Sequence, residues 1–128
     1  MNKWIKKSFA VSFFVVGLFS LLTGQGTAQP FKTLHNFSGG GVPQNGVALS
    51  GKTLYGTTAV TSGNGTVFKV DIDGTSFATL HSFTGADGTY SKGWLIVSGT
   101  RLFGTTVGGS SLGLGTLFAV NTDGNGRT

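Results

Sequence analysis

The 128-residue chain predicts an all-β fold: about two four-stranded β-propeller-type blades behind an N-terminal signal helix. Three observations carry this reading. The first is self-similarity. FKTLHNFSGG from Phe31 returns as FATLHSFTGA from Phe77, LYGTT from Leu54 as LFGTT from Leu102, and GTVFKVDIDG from Gly65 as GTLFAVNTDG from Gly115. These spacings of 46, 48 and 50 residues lie in the range of about 40–50 residues that one propeller blade occupies. The second is composition within the repeated runs, where Val, Ile, Phe and Thr dominate between bounding glycines, as a pleated half-buried surface favours. The third is the lack of any apolar pattern at helical spacing after the leader, where most of the 23 glycines fall.

Taken in order, the elements begin with MNKWIKK, a positively charged start, then the fifteen-residue apolar run Ser8–Leu22 and the small residues Gly26, Thr27 and Ala28. That layout reads as a secretory signal peptide over residues 1–28. The apolar run is shorter than the roughly 18–20 residues that span a bilayer; retention as an uncleaved anchor is the competing reading. Cleavage after Ala28 leaves Gln29–Thr128 as an exported chain, extracellular, at the cell surface or in the periplasm, with no membrane contact after signal cleavage. The repeats divide this part into about 31–83 and 84–128.

Phe31–Phe37 reads as a strand of the type that closes each repeat. In the second period Gly93–Gly99 and Arg101–Thr106 read as a tight hairpin across a Gly-Thr link, followed by a Gly/Ser loop and the strand GTLFAV. The closing type, SFATLHSF, follows the turn IDGT at Ile72–Thr75. Trp94, Leu95, Ile96 and Val97 are consecutive, so both faces of that strand call for burial. A two-layer sandwich would leave one face of each strand wet, whereas stacked blades cover both.

The segments LYGTT, GNGTVFKVDIDGTSF and LHSFTGADG resemble the Gloeo/Verruco (GloVer) tandem repeat, and the resemblance covers about Phe31–Gly126. It implies an exported bacterial repeat protein of propeller-like fold, for which no biochemical activity is established and no catalytic residues can be carried over. This chain departs from the pattern in holding about two repeats and in having no hydrophobic anchor before Thr128. Two blades cannot close a ring, since propellers have typically 4–8. The expected partners are therefore further copies of the chain, three of which would give six blades with the opening strand completing the last, or the missing repeats of a longer protein.

Composition narrows the function. There is no Cys and no Glu, and the acids are Asp71, Asp73, Asp87 and Asp123. The net charge of +5 falls to +2 once Lys3, Lys6 and Lys7 of the leader are set aside, which leaves no clustered basic face for nucleic acid. Asp71-Ile-Asp73-Gly74 and Asn121-Thr-Asp123-Gly124 alternate oxygen ligands as a Ca²⁺ loop does, but lack the full set of 6–8 oxygens and read as Asp-Gly turns. His35 and His81 are equivalent positions and read as ring-packed strand residues beside Phe37 and Phe83. No Gly-x-Ser-x-Gly elbow occurs, and three of the four Asp sit in turns, against paired-carboxylate chemistry. The expectation is a protein that is not an enzyme, with no catalytic, metal or cofactor site. The alternative to a structural or general binding role is a lectin-like, carbohydrate-binding module with a glycan ligand. Tyr90 and Trp94 are its candidate binding residues; Tyr55 and Phe103 are further aromatics, and core packing competes for all four.

Overall fold

The computed structural model describes residues 30–60 and 63–126; the expected signal segment 1–28 lies outside them. Lys32–Thr128 cluster as one compact unit. Among the described residues there is no helix, and the strands form two antiparallel sheets. In the first, β1 (Gly41–Pro43) and β2 (Ala48–Ser50) lie in tandem along one side of β3 (Thr53–Val60), then β4 (Thr66–Asp71) and β5 (Ala78–Ser82) follow outward. This is a meander four strand positions wide. The second sheet repeats it as β6 (Ile96–Ser98), β7 (Arg101–Thr106) and β8 (Thr116–Asn121), three strands in sequence order.

The repeated motifs have a common physical basis. In β3 and β4 Gly56 stands opposite Phe68, and in β7 and β8 Gly104 stands opposite Phe118. Each phenyl ring lies across its glycine, so a Cβ at either position would come within 2.5 Å of the ring. Gly65 and Gly115 take positive φ, 93° and 90°, and a side chain there would strike the carbonyls of Thr58 and Thr106. The second threonine of each Gly-Thr-Thr run faces the threonine after that glycine: Thr58 to Thr66 and Thr106 to Thr116, hydroxyl to hydroxyl at 2.8 Å in both. Such cross-strand hydroxyl pairs lock register.

The core lies between the sheets. Tyr55, Val67, Leu80 and Phe83 from the first repeat meet Leu95, Leu102 and Val120 from the second, with β2 against β6 and β5 against β8. A second aromatic group lies on the far face of the first sheet, where His35 stacks on Phe77 at 3.5 Å and Phe37 meets Phe68 edge-on at 4.9 Å.

Three expectations need correction. Phe31–Phe37 forms no strand; a strand needs a ladder partner, and no described strand pairs with this segment. The second expected strand shrinks from Gly93–Gly99 to Ile96–Ser98, because the equivalent strand of both repeats is interrupted, leaving β1 and β2 in the first and only the Thr89–Gly108 bridge ahead of β6 in the second. Burial of both faces at Trp94–Val97 also fails: Leu95 is buried, but Trp94 and Ile96 are 73% and 66% exposed, since among the described residues no second sheet covers the outer face here.

Candidate functional site

Two surfaces collect the side chains able to recognise a ligand. The first surrounds the interruptions in the opening strands. Ser91, fully buried, accepts at its carbonyl from Asn45 Nδ2 at 3.0 Å and donates its hydroxyl to the Thr105 carbonyl at 3.1 Å. The first bond ties the 89–95 segment to the β1–β2 interruption of the other repeat, and the second ties it to β7. Trp94 lies with its six-membered ring directly against Gly46, where a Cβ could not fit. Gly46 and Trp94 are equivalent positions in the two repeats, 48 residues apart. Tyr90 sits beside Ser91 at positive φ, 53°, and its backbone bonds Asn64 and Val107. Both expected binding residues thus flank one buried serine, with Tyr90 44% exposed. Of the remaining aromatics, Tyr55 is core, and Phe103 is half-buried under the Arg101 guanidinium, 5.6 Å from its ring.

The second surface is a cavity of about 240 Å³ along β8, walled by His81, Phe83, Leu117, Phe118 and Val120, with Asp87 at its rim. His81 packs edge-on against Phe83 at 4.9 Å, and Phe83 against Phe118 at 5.1 Å. His81 Nε2 contacts the Asp87 carboxylate at 3.1 Å, while its buried Nδ1 has no partner among the described groups. Burial would raise the Asp87 carboxyl, but hydrogen bonds from Thr84 and the adjacent His81 outweigh it and hold the group below its ordinary value. No hydroxyl among the described residues is bonded to this imidazole. What the cavity offers is an apolar, aromatic-walled slot with one polar pair at its edge.

The Asp-Gly segments form turns. Gly74 N–H donates to the Asp71 carbonyl at 2.8 Å, and Gly124 N–H to that of Asn121 at 2.9 Å. Asp73 accepts from the hydroxyl and amide of Thr75, and those bonds lower its carboxyl; Asp123 is lowered first by the Asn125 amide. Their oxygens serve the turns, and Asp71 accepts from Thr53 at 2.7 Å. No group of three His or Asp side chains comes together among the described residues.

The His81–Asp87–Phe118 cavity escapes a reading of the sequence. His81 is visible only as a repeated position, and GADG reads as a loop; that Asp87 closes on a histidine six residues earlier becomes apparent only when Thr84 N–H bonds the Asp87 carboxylate at 2.8 Å and turns the loop back. No family model, curated protein or solved structure matches the chain.

Proposed function

We propose that the chain is an exported bacterial repeat protein of the GloVer type, whose two sheets are β-propeller-type blades with a structural or binding role rather than a catalytic one. The observation that supports this is the contact-by-contact recurrence of one sheet in the other. His35, Phe37 and Phe68 meet edge-on at 4.8 and 4.9 Å, and His81, Phe83 and Phe118 at 4.9 and 5.1 Å. Stacked units that repeat their neighbour contacts are the architecture of propellers and solenoids. Export is tested by tagging the chain at its C-terminus in a bacterial host and sequencing the N-terminus of the product. A processed chain outside the cytoplasm, starting at Gln29, is expected; an intact Met1 product confined to the cytoplasm overturns that part of the reading.

A second reading, carbohydrate binding, is favoured by one observation: Trp94 presents an indole that is 73% exposed beside Tyr90 and a fixed polar serine segment. Exposed aromatic faces of this kind stack on apolar sugar faces. Glycan-array binding that Trp94→Ala abolishes, with the β-sheet circular dichroism unchanged, is the expected result of this reading. An array with no bound glycan, from folded protein, removes it.

A further inference from the structure

The segment 32–37 rests on the first sheet as β5 rests on the second. Leu34 lies against Gly74 in the turn after β4, and Leu80 lies against Gly124 in the turn after β8. The ring contacts on either side agree to within 0.2 Å. The segment therefore holds the place of a closing strand, yet among the described residues it pairs with no sheet. At the other end of the repeats the complementary vacancy exists: among the described residues the outer edge of β8 carries no strand. Leu117 on that edge is 78% exposed, while its counterpart Val67, covered by β5 and the second sheet, is fully buried.

The match extends to a single ring. In the first repeat Phe77 leads into β5 and stacks on His35, with Phe68 at 5.8 Å. The equivalent slot beside His81 and Phe118 is the cavity of about 240 Å³, larger than the roughly 150 Å³ that accommodates benzene in an apolar interior. The residue that matches Phe77 at the start of the unpaired segment is Phe31, 95% exposed.

We infer that Phe31 of a second copy of this chain seats in the cavity beside His81 and Phe118, and that its following residues pair as a fourth strand on β8. The register is that of β4 with β5, where Thr66 faces Ser82, Val67 faces His81 and Phe68 faces Thr79. Carried across, Thr116 faces Asn36, Leu117 faces His35 and Phe118 faces Thr33 of the second copy. Strand addition satisfies an open edge through main-chain bonds and gains specificity from a side-chain pocket. The arriving backbone also brings N–H groups to the cavity whose wall holds the unpartnered His81 Nδ1, and a buried acceptor gains most from such a donor. Each copy gives from one face and receives on the other, so the contact is heterologous; three copies supply six blades, within the usual range of about 4–8.

This inference rests on the propeller-type reading, and its test is independent of export and of glycan binding. Light scattering behind a sizing column is expected to give three times the chain mass for the purified protein. Phe31→Ala, which loses the donor, and Leu117→Asp, which loses the acceptor, are each expected to give monomers with unchanged β-sheet dichroism, since both side chains are exposed within one chain. Mixed one to one, the two monomers are expected to form a dimer, because one competent contact is restored. A folded wild-type monomer, an oligomer that both variants leave intact, or a mixture that stays monomeric overturns the inference. The first of these is also the result expected if the edge of β8 belongs instead to further repeats of a longer chain. An exported, folded monomer would remove the contact and leave the proposed function; a cytoplasmic trimer would do the reverse.

Discussion

Val67 and Leu117 occupy the same place in two sheets built from the same motifs, yet one is sealed and the other is 78% exposed. The sequence around each is Gly-Thr-apolar-Phe, the opposing strand is a Gly-Thr-Thr strand, and the threonine pair beside each has the same 2.8 Å contact. The difference lies in what covers them. The first sheet has β5 along its outer edge and the second sheet across its face, whereas among the described residues β8 has neither. Burial here belongs to the stack, and a strand's own pattern records only that something should cover it.

That comparison can be attacked where it is strongest. Leu102 is fully buried at the centre of the inter-sheet core, so Leu102→Ala is expected to lower unfolding free energy in urea by about 2–5 kcal/mol. A loss under about 1 kcal/mol would mean that the sheets do not stack in solution.

The matched pair gives the sharper contrast. Val67→Ala removes two sealed methyl groups and is expected to cost about 2 kcal/mol, while Leu117→Ala, measured on dilute chains, changes stability by less than about 0.5 kcal/mol. Equal losses would place a cover over β8 within the single chain.

The glycines extend the test. Gly56→Ala drives a methyl into Phe68, which Phe37 and Phe77 hem in, with an expected cost of about 1–3 kcal/mol. Gly104→Ala drives a methyl into Phe118 and also to within 2.8 Å of the buried core side chain Leu95, so its cost is expected to be no smaller. Thermal melts of the two variants side by side check the order.

The smallest effect concerns Asp87, which has no acidic counterpart in the loop after Phe37 of the first repeat. Its folded carboxyl lies below the ordinary value, so its contribution is present above about pH 4 and is lost as pH falls through the folded value. Asp87→Asn should lower stability slightly at neutral pH and flatten part of the acid-side decline in a urea-midpoint series from pH 7 to pH 2.

Much of this architecture is legible in the chain itself. Arg101–Thr106 coincides with β7, and the repeated runs at Gly65 and Gly115 fall on β4 and β8, because Gly/Thr-bounded runs of β-branched and aromatic residues leave the backbone little else to do. Both Asp-Gly turns are equally plain. What local pattern cannot supply is the identity of the covering layer. Trp94 and Ile96 read as buried because they are apolar, yet among the described residues no second sheet covers them, although Trp94 has Gly46 against its ring. The opening segment reads as a strand because its counterpart, Phe77–Phe83, contains β5, yet no described strand pairs with it. Of the site residues, Tyr90 and Trp94 stand out as aromatics near a loop. Asp87 and His81 do not, since their meeting depends on how one turn folds back.

The indole of Trp94 against Gly46 makes the repeats non-exchangeable. The two positions are counterparts, so a chain assembled from two copies of the second repeat would set tryptophan against tryptophan where only a hydrogen atom fits. The contact gives the pair a polarity: the repeat with the small residue must come first. A reader with only the gene could use that single size rule to tell a natural neighbour from a shuffled one.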